Sequence, residues 1–339
     1  MNKRKLFFWC MVIILSTFSI RSVLFGRNTI AKELSDNNLN NELALVDHES
    51  IFIDHDDDFI SLGFTGNGTE NNPYLIENLS LTDFTKPGME IMFTTKFFEI
   101  RNCYINTPHY GIKLSSIANG TAKILNNVID YSFAGIDVES THNITLFNNS
   151  ISENFYGIDI SNSFNCNLSH NKFFESRRYG IRADNAKSIL ITHNYFYNSG
   201  VEIRNLSLPE YLECLIVDNF VEDKPLAFIT NTVDAVISTP DYGQIILVNC
   251  TNLNISNQIL NNGGIGFHLI YCEQIVLYNN LIYENYRGIL IEESNKIRVE
   301  NNIIESNALF GIEFFQSDYC HFANNIFYDQ TTCIRLRES

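Results

Sequence analysis

Gly135-Ile136-Asp137-Val138 and Gly157-Ile158-Asp159-Ile160 are one phrase written twice, and the rest of the chain is built on it. The phrase returns as Gly180-Ile181-Arg182-Ala183, Gly288-Ile289-Leu290-Ile291 and Gly311-Ile312-Glu313-Phe314, at a spacing of 22–23 residues. An asparagine follows fourteen residues after each glycine: Asn149, Asn171, Asn194, Asn302 and Asn325. A fixed period of this size is the signature of a stacked solenoid, in which each repeat buries its apolar side only against its neighbours.

Inside each repeat the apolar period is two, which is that of a strand. Ile136 and Val138 face inward, then Ile144 and Leu146, then Ile151. The same slots recur as Ile158, Ile160, Cys166, Leu168 and Phe173, and again as Ile289, Ile291, Ile297, Val299 and Ile304. The pattern predicts three short strands per coil and three parallel sheets around one interior. The segment from Ile144 to Ile151 also fits a leucine-rich repeat. That fold needs a helical or irregular arc in the other half, where this chain again has period two. The period exceeds the ~18 residues of three hexapeptide turns, the unit of left-handed helices. The expected fold is therefore all-β, a right-handed parallel β-helix of about ten coils of 22–23 residues. The asparagine column, from Asn127 through Asn149, Asn171 and Asn194 to Asn280, Asn302 and Asn325, reads as a ladder of stacked amides.

Composition narrows the function classes. Of 339 residues, 45% are apolar, enough for a substantial core, and the formal net charge is −16 without any basic stripe. A nucleic-acid backbone would be repelled, so no nucleic-acid partner is expected. Lys3, Arg4 and Lys5 precede an apolar run from Leu6 to Ile20. Its length suits a signal peptide or signal anchor better than a full span, so any membrane contact is expected through this segment alone. Export follows, to the periplasm, the cell surface or the medium. Of the eight cysteines, the seven beyond that run sit at repeat positions rather than in a disulfide framework. Cys250 and Cys272 continue as Ser294 and Ser317, a column of small turn residues. A Cys250–Cys272 disulfide is compatible with a coil spacing of about 4.8 Å but is not required by it.

The expected organisation is a signal or anchor segment over 1–30, a polar linker over 31–50, a capping module over 51–81 and the β-helix over 82–339. Between Asn219 and Asn257 the rhythm breaks, and 220–243 reads as an insertion on one face, the usual place for a binding loop. Cys333-Ile334-Arg335-Leu336 begins a further turn at the end of the sequence.

The chemistry is sought in the third position of the phrase, which points outward. It reads Lys113, Asp137, Asp159 and Arg182 on successive coils, with Ser115, Glu139, Ser161 and Asp184 two residues on. Carboxylates one coil apart suit acid–base work on a polysaccharide or Ca²⁺ binding, and Arg182 suits a uronate. Asp137, Asp159 and Arg182 are the catalytic candidates, and Glu139 and Asp184 join them as ligand-binding candidates. The bland alternative is a solvated, charge-balanced face. His170 and His193 precede ladder asparagines on adjacent coils and are candidate metal ligands, although no third donor is evident. The Asp54-His55-Asp56-Asp57-Asp58 run is a second cation candidate. No nucleophile elbow, phosphate loop or His-Glu-x-x-His motif is present.

Several stretches resemble the NosD-like right-handed parallel β-helix repeat proteins, over roughly 64–336. They are Gly66-Asn67-Gly68-Thr69-Glu70-Asn71-Asn72-Pro73-Tyr74-Leu75-Ile76-Glu77, Ile100-Arg101-Asn102-Cys103-Tyr104, and Gly243-Gln244-Ile245-Ile246-Leu247-Val248-Asn249-Cys250. Lys224-Pro225-Leu226 is similar to that family's Lys-Pro-hydrophobic segment, with Ala227-Phe228 where paired tyrosines are common. The resemblance implies the fold and an exported location. It also implies kinship with the carbohydrate-binding and sugar-hydrolase β-helices. The family's namesake is a periplasmic factor for copper-site maturation, but this chain lacks a Met/His/Cys cluster, so no ligand residue and no cofactor carries over. The functional expectation is non-catalytic binding of a polysaccharide or cell-surface component. A polysaccharide lyase, epimerase or hydrolase is the first alternative, and copper handling the second.

Overall fold

A computed structural model describes residues 45–337. The expected signal or anchor segment and most of the expected linker lie outside the described residues. Among the described residues, no helix is long and apolar enough to cross a membrane.

The chain winds as an all-β solenoid of about twelve turns. Neighbouring strands pair in parallel with in-register phrases: Ile112, Ile136, Ile158 and Ile181 are successive partners, as are Leu114, Val138, Ile160 and Ala183. All eight are fully buried. The slots at Ile144, Leu146 and Ile151 are buried too, so each coil contributes three inward strands. Each buried Ile or Leu contributes about 1.5–3 kcal/mol of transfer free energy.

The coil count exceeds the expected ten because the first turns lack the Gly-Ile phrase. Ile51–Ile53 opens one sheet by pairing with Met89–Met92, and Tyr74–Glu77 opens another by pairing with Phe98–Arg101. Val46–Asp47, expected in a linker, already pairs with Leu79 and Ser80. The stretch 45–81 is thus the start of the solenoid. A short helix, Asp58–Ser61, sets Phe59 against Tyr74 and Phe98 at its end.

Two local devices explain the repeat. The glycine is needed for close approach, since its φ is not positive. A Cβ on Gly157 would lie 2.5 Å from the Gly180 carbonyl oxygen and 2.5 Å from the Phe173 ring, and Gly111 and Gly135 are equally tight. The asparagine column is a buried ladder. The Asn171 Oδ1 accepts 3.0 Å bonds from both the backbone and side-chain nitrogens of Asn149, and the Asn171 Nδ2 donates to Leu146 O and Asn194 Oδ1. The left-handed bend falls one residue earlier than the ladder, at Asn126, Asn148, His170 and His193, with φ of 54–59°. A second ladder, Asn285 to Asn307 to Gln330, runs along another turn.

Residues 220–243 form a joint rather than a loop on one face. Phe220–Val221 ends the first solenoid, and Lys224–Thr230 returns antiparallel to it across Glu222-Asp223. Both turn residues have positive φ, 50° and 63°, as a type I′ hairpin demands. From Lys224–Thr230 a second solenoid grows, and one fourteen-stranded sheet runs through both. Its two faces serve different interiors. Leu226, Ile246, Val248 and Ile270 join the core of the first solenoid, whereas Ala227, Ile245, Leu247, Phe267 and Leu269 join that of the second. The side of the second solenoid thereby covers the end of the first. The Gln244 carboxamide seals the seam, accepting from Val201 N at 2.9 Å and donating to Val201 O at 2.6 Å.

Candidate functional site

The outward column predicted from the phrase is continuous. Glu90, Lys113, Asp137, Asp159, Arg182 and Glu202 are successive register partners. Beside it run Ser115, Glu139, Ser161, Asp184 and Arg204. The strand spacing therefore sets the Asp137 and Asp159 backbones about 4.8 Å apart.

Charge is distributed unevenly along the column. Lys113 pairs with Glu90 at 3.2 Å, leaving Asp137 with no hydrogen bond or ion pair among the described residues. Arg182 reaches Asp159 at 3.4 Å and Asp184 at 3.3 Å, and Arg204 holds Asp184 at 2.5 Å. Burial, and then the Asp159 charge, push the Asp137 carboxyl up to about 7 against the pull of Lys113. Burial raises Asp159 to about 6 although Arg182 opposes it. Burial also works against Asp184, but hydrogen bonds from Arg204 and Asn205 hold it below its ordinary value. The site thus offers two carboxyl groups that exchange protons near neutral pH beside one held ionised. Glu139 is exposed at the rim.

An aromatic bank flanks the carboxylates. Tyr110, Ala134, Tyr156 and Tyr179 stand immediately before the column glycines and are register partners, apart from the main core. The Phe133 ring, 44% exposed, stacks on Phe155 at 5.3 Å. The Arg178 guanidinium lies 4.2 Å from the Phe155 centroid and donates to the Tyr156 hydroxyl at 2.8 Å, and Arg182 lies 4.8 Å from the Tyr156 centroid. The sequence carries this signal as the recurrent Tyr-Gly-Ile at 110–112, 156–158 and 179–181.

The second solenoid closes one end of the bank. Arg287 donates to the Tyr179 hydroxyl at 2.7 Å and to Glu202 at 2.6 Å, and its Nε lies 3.0 Å from Glu313. Glu202 and Glu313 are almost wholly buried, so this chain of charges is part of the seam.

The metal candidates fare differently. His170 and His193 do stack, with centroids 4.9 Å apart and rings 3° from parallel, but the nearest acid to His193 is Asp218 at 3.7 Å. Asp54, His55 and Asp58 place donor atoms within 4.8 Å of one another, yet Asp58 already accepts from the Asp54 and His55 backbone nitrogens in a turn. The Ca²⁺ expectation for the outward columns has no support, because Asp159 and Asp184 face guanidinium groups rather than further oxygen ligands. Cys250 and Cys272 are free thiols on successive coils. A hydrogen bond from Cys272 lowers the Cys250 thiol to about 7.

Residues 33–199 match the family model for the right-handed β-helix region, and residues 216–339 match that for the periplasmic copper-binding protein NosD. Together the two matches support a NosD-like right-handed β-helix family. The first match ends before the joint, and the second includes it. Among solved structures the chain is similar to the A-module of the Azotobacter vinelandii mannuronan C-5 epimerase AlgE6, at 13% identity over 84% of this chain and 97% of that one, with a TM-score of 0.34. It is also similar to the periplasmic alginate epimerase AlgG, at 11% identity over 84% and 83%, with a TM-score of 0.28. A third is the catalytic domain of a GH87 α-1,3-glucanase bound to nigerose, at 13% identity over 89% and 64%, with a TM-score of 0.33. No match was found among curated proteins.

Copper is the metal that the second family's description names, and the donors here do not suit it. Cys103, Cys166, Cys250 and Cys272 are buried and bond to backbone carbonyls, and Met89 is in the core. Among the described residues no soft sulfur donor joins the His170–His193 stack.

Proposed function

We propose that this protein is an exported, non-catalytic β-helix that binds a polysaccharide along the outer face bearing Asp137, Glu139, Asp159, Arg182 and Asp184. The observation that carries this reading is the bank of ring faces at Tyr110, Phe133 and Phe155, laid beside ordered carboxylate and guanidinium groups. Sugars are held by that combination, apolar ring faces for their C–H surfaces and fixed polar groups for their hydroxyls. The coil repeat suits a chain ligand, because equivalent positions recur along one rigid direction. Asp137→Asn combined with Asp159→Asn is expected to lower the affinity of any polysaccharide captured on a glycan array by about tenfold. An array with no binder above background would refute the reading.

A second reading is acid–base catalysis on a uronate-containing polymer. It is favoured by the two carboxyl groups raised to about 7 and about 6. Its test is turnover of uronate and neutral polymers, and a complete absence of product would remove it.

A further inference from the structure

The wedge between the two solenoids holds a cavity of about 220 Å³. Ser176, Arg177, Arg178 and Asn198 of the first solenoid line one side, and Glu284 and Tyr286 of the second line the other. Two features distinguish it from an incidental gap.

The first is unbalanced charge. Arg101, Arg182, Arg204, Arg287, Arg298 and Arg335 each pair with a carboxylate. Arg177 and Arg178 are adjacent, and among the described residues neither has a carboxylate partner within ion-pair distance, in a chain of net charge −16. Glu284, on the opposite wall, pairs with neither. The second feature is unsatisfied polarity. Ser176, a residue of the cavity lining, is 5% exposed, and its buried hydroxyl has no hydrogen-bond partner. The Arg178 Nε is buried and unpartnered as well. Buried donors in this state are costly unless something accepts from them.

We propose that this wedge is a subsite for the carboxylate of an acidic sugar, gripped by Arg177 and Arg178. Guanidinium groups match a carboxylate in planarity and in donor spacing. Arg178 also lies over the Tyr286 ring, 5.2 Å from its centroid, so one residue joins the aromatic bank to the wedge. The subsite rests on the reading of the outer face as a polysaccharide surface, and adds to it a preference for uronate over neutral units.

The experiment is calorimetric titration of the whole protein with oligogalacturonate and with its methyl ester, which keeps the shape and removes the charge. The wild type is expected to bind the acid form about tenfold or more tightly than the ester. Arg177→Gln combined with Arg178→Gln should erase that preference. Ala308→Glu, at an exposed bend lining the cavity, should erase it while keeping both arginines, and serves if the double variant does not fold. Equal binding of acid and ester by the wild type would overturn the carboxylate assignment and leave the polysaccharide surface standing. A preference that survives in folded variants would overturn the wedge as its location. Binding of neither ligand, on an array that also lacks other binders, would remove the polysaccharide reading and the subsite with it.

Discussion

Asp137 concentrates the chemistry of this protein at one side chain. Its carboxyl ionises at about 7 in the fold against an ordinary value of 3.8, because it is largely buried and faces Asp159. A carboxyl that is harder to ionise folded than unfolded leaves stability intact below pH 4. It destabilises progressively as pH rises from about 4 to 7, and the penalty is then constant. Asp137→Asn should therefore raise stability by about 1–3 kcal/mol at pH 8, and the gain should vanish near pH 4. Thermal unfolding of both proteins across that range measures it, and a pH-independent difference would refute the burial argument. The residue was legible in the sequence because the phrase fixes which side chains point out. Its altered acidity was not, because that depends on Lys113 turning to Glu90 and on the bank that buries it. Nor were the left-handed positions legible. They lie one residue before the ladder, where His170 and His193 adopt the bend as Asn126 and Asn148 do.

At the scale of the element, each coil is held to the next by three kinds of contact: backbone pairing, stacked isoleucines and the amide ladder. Asn171→Ala would remove the acceptor of Asn149 N and one bond each from Asn149 Nδ2 and Leu146 O in a dry interior. A loss of about 2–4 kcal/mol is expected in urea unfolding, with no change in the slope. A loss below about 1 kcal/mol would mean the ladder is incidental. These coil contacts were readable because most lie within a few residues of the 22–23-residue period that the sequence advertises. The joint was not. Its hairpin uses Glu222-Asp223 in place of the Asn-Gly that marks such turns, and its strands resemble any others in the chain. With right-handed winding on both sides of the turn, reversing the strand direction requires the interior to move to the other face of the shared sheet. Val248 and Ile270, periodic but outward from their own solenoid, are apolar because the first solenoid's end lies beneath them.

For the whole molecule, the angle between the solenoids is fixed by apolar cover and by one chain of charges. Arg287→Ala would strand Glu202, 2% exposed, without its counter-ion. Removing one partner of a buried pair costs about 3–5 kcal/mol, and circular dichroism during denaturation should record that loss. A change near zero would show the solenoids are held by apolar contact alone. The wedge cavity and the aromatic bank depend on the same angle, so this variant should also weaken any polysaccharide binding that the bank supports.

The shared sheet also dictates an order of events during synthesis. The first solenoid leaves the ribosome with its last apolar coil bare, and its lid is encoded downstream in residues 244–270. Until those residues emerge and turn back, the nascent chain presents an open strand edge over an exposed core, the kind of surface on which chains aggregate. The half made first is therefore finished last, and that edge must be sheltered until the lid arrives.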